Sequence, residues 1–407
     1  MKYINRKEYL DFLMRHKDKN VIKVITGIRR SGKSTLFEIY KDYLKSIGVS
    51  DDEQIISINF EDLEFEDYRE YKNLYKYIIN KLNPNKMNYI FLDEIQHVKQ
   101  FEKAVDSLFI KSNVDIYITG SNAYFMSGEL ATLLTGRYVE LNVLPLSFKE
   151  FCQAYRENDN YDYTVKTLSE LYNLYITRSS FPYTASLNDE KGIKEYLRGI
   201  YDSVLLNDVV ARYKISDVML LESIVVFIFD SIGSPLSLKK IADTLTSKGR
   251  KTASLTVEKY VKALIESMLI YQAKRYNIKG KELLATNSKY YVADIGLRQI
   301  LMSKTTNDQG HILENIVYLE LLRRGYDVYV GNIDNREVDF VARMGQSTEY
   351  YQVSASVLDP VTLERELTPF NKIKDNYPKY LLTFDEIGAG SDYEGVKQLN
   401  VLEWLVS

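Results

Sequence analysis

Gly27-Ile28-Arg29-Arg30-Ser31-Gly32-Lys33-Ser34-Thr35 follows the β-branched run Val21-Ile22-Lys23-Val24-Ile25-Thr26 and leads into Leu36-Phe37-Glu38-Ile39-Tyr40. Two glycines bracket four residues, and a lysine and two hydroxyl residues come next. This Gly-x-x-x-x-Gly-Lys-Ser spacing is that of a loop that wraps the phosphates of a nucleoside triphosphate. Gly27 and Gly32 permit backbone angles that a Cβ forbids, so consecutive amides can turn inward around an anion. A helix beginning near Lys33 adds unpaired amides and the positive end of its dipole. Lys33 then reaches the β- and γ-phosphates, and the Ser34 hydroxyl binds Mg²⁺.

A second cluster fits the same chemistry. Met87-Asn88-Tyr89-Ile90-Phe91-Leu92-Asp93-Glu94-Ile95-Gln96 is an apolar strand closing on two carboxylates. Asp93 at the strand tip can hold Mg²⁺, directly or through water, while Glu94 polarises the attacking water. Two carboxylates in those roles mark hydrolysis rather than nucleotide binding alone. The strand Val114-Asp115-Ile116-Tyr117-Ile118-Thr119-Gly120-Ser121-Asn122 ends in small polar residues, where a sensor of the γ-phosphate belongs. Asn122 is the first choice for that sensor and Ser121 the second.

Positioning these groups requires strands that all end on one side. Helical patterns from Tyr3 to about Asn20, from Lys33 to about Ser46, from Asp67 to Leu82 and from Phe101 to Lys111 alternate with the apolar runs. That alternation predicts an α/β fold with a parallel sheet and crossover helices through residue 145. Ligand then sits at the carboxyl ends of the strands, where all these motifs fall.

At 407 residues the chain is long for one core. Pattern shifts divide it into a P-loop core (1–150), a helical lid or connector (151–216), a winged-helix-like unit (217–300) and a small α/β domain (301–407). Apolar content of 45% and charged content of 27% are those of an ordinary soluble protein. The net charge of −3 gives no global nucleic-acid signature. Cys152 is the only cysteine, which excludes an intramolecular disulfide. With no secretory apolar core and no apolar run of membrane-spanning length, a cytoplasmic protein without membrane contact is expected.

The unit from 217 to 300 reads as three helices followed by a basic hairpin, Lys274-Arg275-Tyr276-Asn277-Ile278-Lys279-Gly280-Lys281. Between Gly233 and Tyr291 stand twelve Lys and Arg against four acids, a local footprint for DNA. A winged helix used for protein contacts fits the same pattern. From about Gly310 the order is helix, three strands, helix.

Taken together, Gly27–Thr35, Leu92–Gln96, Thr119-Gly120-Ser121 and Gly136-Arg137-Tyr138 with Leu144-Pro145-Leu146-Ser147-Phe148 resemble the prokaryotic AAA-type ATPases of the archaeal-ATPase-like group. Those proteins carry a carboxyl-terminal domain of unknown function, and the match runs nearly end to end. The paired Arg29 and Arg30 are more distinctive than the P-loop itself. The resemblance implies ATP binding and hydrolysis; the leading reading of the whole chain is an Mg²⁺-dependent ATPase that couples hydrolysis to movement of its winged-helix and nuclease-like domains. In such ATPases an arginine placed like Arg137 can contact a γ-phosphate, often that of a neighbouring subunit in a nucleotide-bound homo-oligomer; a surface salt bridge is its other reading. Where the family usually reads Gly-Gly-Phe-Pro-Glu, this chain has Ser179-Ser180-Phe181-Pro182-Tyr183. The last portion resembles the restriction-endonuclease-like PD-(D/E)xK fold. Glu314 and Asp339 match its first two acids, but Gln352-Val353-Ser354 lacks the third carboxylate and the lysine, so a degenerate nuclease fold that has lost cleavage is expected. The alternatives are an ATP-gated DNA-binding module with little turnover and an ATP-dependent nuclease.

Overall fold

Five of the apolar runs form one all-parallel sheet, with Ile55–Asn59, Asn88–Asp93, Val114–Gly120, Ile22–Thr26 and Tyr138–Asn142 side by side in that order. The strands are β1 (Ile22–Thr26), β2 (Ile55–Asn59), β3 (Asn88–Asp93), β4 (Val114–Gly120) and β5 (Tyr138–Asn142). The computed structural model describes residues 3–121, 134, 136–156, 167–302 and 308–407. Burial follows sheet position. The inner strands β1 and β3 are buried at every residue, whereas the edge strand β2 alternates, as expected when helices cover both faces.

The helices α1 (Lys7–Arg15) and α2 (Lys33–Ser46) cover one face. There Tyr9, Leu13, Leu36, Phe37 and Tyr40 pack against Phe91, Tyr117 and Val143. On the other face, α3 (Tyr71–Lys81) and α4 (Phe101–Phe109) bring Leu74, Ile78, Val105 and Leu108 against Ile22, Val24, Ile90 and Ile118. Because every strand points the same way, the segments that follow β1, β3 and β4 share one edge of the sheet.

This unit, Met1–Pro145 with Glu266–Met268, is compact in itself; Leu146–Ile265 with Leu269–Ser407 forms a second. In the second unit three helices, α5 (Val218–Asp230), α6 (Leu238–Ser247) and α7 (Ser254–Glu266), precede the antiparallel hairpin of β6 (Ile270–Asn277) and β7 (Glu282–Val292). The helix α8 (Gln309–Arg323) leads to β8 (Asp327–Ile333), β9 (Arg336–Met344) and β10 (Ser347–Val353). β6 pairs in parallel with β8, so the hairpin and the carboxyl-terminal strands share one eight-stranded sheet that contains the run β10-β9-β8-β6-β7. The strands β11 (Lys379–Thr383), β12 (Asp392–Tyr393) and β13 (Val396–Asn400) extend it beyond the three that the sequence pattern suggests.

The Ser179-Ser180 stretch is a structural junction of this second unit. The Ser180 amide and hydroxyl donate to the buried Asp294 carboxylate at 2.7 and 2.6 Å. A Cβ at Gly296 would lie 2.5 Å from the Cβ of Ser179, so the approach depends on that glycine. Among the described residues no helix is long and apolar enough to cross a membrane.

Candidate nucleotide site

The loop after β1 turns sharply at Gly27, whose φ is +151°. A Cβ there would meet the Val143 carbonyl oxygen at 2.3 Å, so backbone strain and close approach both demand glycine. Gly32, at φ +99°, caps α2 and directs the first amides of that helix into the loop. From beneath, the buried Arg6 braces the turn. Its guanidinium donates to the carbonyls of Ser31 (2.8 Å) and Leu144 (2.9 Å) and lies over the Tyr9 ring.

Lys33 is buried and folds back on its own loop, donating to the carbonyls of Gly27 (3.0 Å) and Ile28 (3.3 Å). Its ammonium also stands 3.6 Å from Glu94. Incoming phosphate oxygens would take over these contacts. The Ser31 hydroxyl is fully buried in the loop and has no hydrogen-bond partner among the described residues, a polar group suited to a polar ligand.

The two carboxylates at the end of β3 are held differently. Asp93 accepts from the hydroxyls of Thr119 and Ser34; burial pushes it above the ordinary carboxylate value against those bonds. A hydroxyl beside a carboxylate is an all-oxygen donor pair of the kind Mg²⁺ takes, so Ser34 and Asp93 fit that ion. Glu94 adopts a left-handed backbone, φ 52°, unusual for a residue with a side chain. Its amide donates to the Thr119 hydroxyl at 2.8 Å, and Gln96 donates to its carboxylate. Burial would raise its pKa, but Lys33, the Gln96 and Ser121 side chains and Arg29 together hold it below the usual value.

Thr119 therefore links both acids, accepting from one and donating to the other. Thr119 does not stand out in the sequence as a site residue, because only the adjacency of β3 and β4 brings it to the carboxylates, whereas Gln96 reaches Glu94 from two residues away on the same segment. Ser121 is buried and accepts from Gln96 at 3.3 Å. Asn122, the first choice for the sensor, lies outside the described residues. Arg29 forms an ion pair with Glu61 at 3.6 Å, and Arg30 is exposed with φ 66°. Ile28 is buried beneath the loop, and Thr35 is exposed in the first turn of α2.

Arg137 is not at this site within the chain. It precedes β5, and its carbonyl accepts from the amide of Ile22, the first residue of β1. That places it at the amino-terminal edge of a parallel sheet, opposite the P-loop. There it bonds Asp106, stands 5.8 Å from the Phe109 ring and lines a cavity of about 570 Å³ with Asp18, Lys19 and Lys111. Arg137 and the P-loop therefore stand at opposite ends of β1.

Residues 19–152 match the AAA domain family, and residues 169–308 match a domain of unknown function. An uncharacterized protein of Haemophilus influenzae is 40% identical over 404 residues, covering 99% of this chain and 98% of that one. An uncharacterized protein of Methanocaldococcus jannaschii is 32% identical over 387 residues, covering 91% of this chain and 83% of that one. Among solved structures, the Walker-type ATPase of Pyrococcus abyssi is similar with a TM-score of 0.50 at 18% identity, over 74% of this chain and 96% of that one.

Proposed function

We propose that this chain, which belongs to the AAA-type P-loop ATPases, binds ATP with Mg²⁺ between its P-loop and β3, hydrolyses it, and uses the cycle to rearrange its second unit. The observation that carries the reading is Glu94, a buried carboxylate kept ionised beside the P-loop lysine. The loop amides, the α2 amino terminus and Lys33 bind the phosphates. Ser34 and Asp93 would hold Mg²⁺, which supplies charge neutralisation at the phosphates. Glu94 orients and deprotonates the attacking water, with Gln96 and Thr119 fixing its position. Ser121 and Asn122 follow β4 close enough in sequence to report the γ-phosphate.

Lys33→Ala tests the site directly. Without the ammonium, ATP affinity measured by calorimetry is expected to collapse while the melting profile of the protein without nucleotide keeps its shape. Unchanged ATP affinity would place the nucleotide elsewhere.

A DNA-binding role for the second unit has its own support. Lys239, Lys240, Lys248 and Lys251 on and after α6, Lys259 and Lys262 on α7, and Lys274 and Lys281 on the hairpin are all exposed. Three helices and a hairpin in this order resemble a winged helix. Lys289, by contrast, is buried and drops out of the basic footprint. Neutralising Lys274, Lys279 and Lys281 together is expected to weaken duplex binding and flatten its dependence on salt, by about 0.9 in slope for each phosphate that no lysine then neutralises. Binding in titrations with a labelled duplex that ignores the change would assign these lysines to a protein partner.

A further inference from the structure

Lys289 is the least expected charge in the second unit. It lies on β7 and is 3% exposed. Its ammonium is 2.8 Å from Glu314 Oε1, 2.7 Å from Glu337 Oε1 and 3.8 Å from Asp339 Oδ1. Glu314 comes from α8, while Glu337 and Asp339 stand two apart on β9 and so project from the same face. Tyr291, two residues along β7, donates its hydroxyl to the same Glu314 oxygen at 2.6 Å. The Val353 amide donates to Asp339 at 2.8 Å and fixes that carboxylate from the other side. Gln352 accepts from the Asp339 amide at 3.3 Å and donates to Glu366 at 2.6 Å.

Three carboxylates from two elements converge on one point, and a positive charge occupies it. That donor set, all carboxyl oxygen, is what hard divalent and lanthanide cations select. Among the described residues no group of three or more His, Cys, Asp or Glu side chains is arranged to hold a metal ion. Here Glu314 and Glu337 stand at hydrogen-bonding distance from an ammonium and Asp339 stands 3.8 Å from it, all longer than metal–oxygen bonds. Burial and the neighbouring Glu314 push Asp339 well above the ordinary carboxylate value, and Lys289 opposes that shift.

We propose that the Lys289 ammonium is a covalently attached substitute for a divalent cation: it assembles Glu314, Glu337 and Asp339 and closes their meeting point to metal, so that removing it opens a cation site. The resulting centre works as a metal-independent tie between β7, α8 and β9.

The test uses the full chain carrying Asp93→Asn, which removes the cation-binding pair at the P-loop, with and without Lys289→Ala. Terbium is titrated under tyrosine excitation, since Tyr291 touches Glu314 and can sensitise a bound ion. Lys289→Ala is expected to gain one saturable terbium site and a melting temperature that rises with Mn²⁺. The chain that keeps Lys289 should show neither, and adding Glu314→Gln should abolish both gains. A folded Lys289→Ala protein without a saturable site overturns the proposal, as does equal binding with Lys289 present. If Lys289→Ala unfolds in chelator, the cation should restore folding. Lys289→Met keeps most of the apolar stem; failure of both variants to fold in Mn²⁺ also overturns the assignment.

Discussion

Replacing Glu94 with glutamine is expected to leave ATP binding intact and lower turnover roughly 10²- to 10⁴-fold, the usual contribution of a positioned general base. Glutamine preserves the volume and the hydrogen bond from Gln96 but removes the basic oxygen. The surrounding geometry should survive, because the Glu94 backbone is held by the hydrogen bond its amide donates to the Thr119 hydroxyl and not by the side chain. The acid limb of the parent's pH–rate profile carries a second signature. Activity needs the ionised form, so it is lost as pH falls through the Glu94 pKa. With Lys33, Gln96, Ser121 and Arg29 holding that pKa below the ordinary value against burial, the limb should lie below the usual carboxylate range. ATP will draw Lys33 toward its phosphates and return part of the shift, so kcat should report a higher limb than kcat/KM. A phosphate-release assay at saturating ATP checks the loss; parental turnover in Glu94→Gln would move the base elsewhere.

Lys23→Met is expected to cost about 3–5 kcal/mol of stability, the range for leaving one partner of a buried ion pair uncompensated. Lys23 on β1 and Asp115 on β4 pair in the interior with side chains 0% and 1% exposed. Asp115 also accepts from the Asp18 amide at 2.9 Å and the Tyr117 hydroxyl at 2.8 Å. Burial pulls the Lys23 pKa down and pushes that of Asp115 up, each resisted by the other group. Without the ammonium the Asp115 pKa rises further. An acid whose pKa is higher folded than unfolded binds more protons in the native state, so stability falls as pH rises through that window. The deficit of Lys23→Met should therefore be greatest at neutral pH and shrink as pH falls and the carboxyl protonates. Lys23→Met with Asp115→Asn, which leaves no buried charge, should recover much of the loss at pH 7. Urea unfolding at several pH values measures all three; a pH-independent deficit would assign the effect to packing. The pair stands at the amino-terminal edge of the sheet, so folded variants should still bind nucleotide.

The P-loop and the two acids of β3 were legible in the sequence because each is one contiguous segment. Gly27, Gly32 and Lys33 act through local backbone geometry, and Asp93 and Glu94 share a strand tip with nothing intervening. Alternation of apolar runs with helical periodicity was enough to indicate a parallel sheet, since parallel strands need crossovers. It could not give the order of the strands, nor the addition of β11 to β13, although β11 returns parallel to β10 after the helix Pro360–Leu367. Pairing between β6 and β8 was equally hidden, because hydrogen bonds between distant backbones leave no period in either segment.

Sequence alone thus determined that the chain presents a phosphate loop with a paired-carboxylate strand, features written in adjacent residues and enforced by φ and ψ. Tertiary structure alone decided which other side chains attend them. It brought Arg6 beneath the loop, put Thr119 between Asp93 and Glu94, and carried Arg137 to the far edge of the sheet. It also took Lys289 out of a basic surface and set it among three acids. Those outcomes depend on strand order and register, and a single residue's type carries no record of which strand will lie beside it.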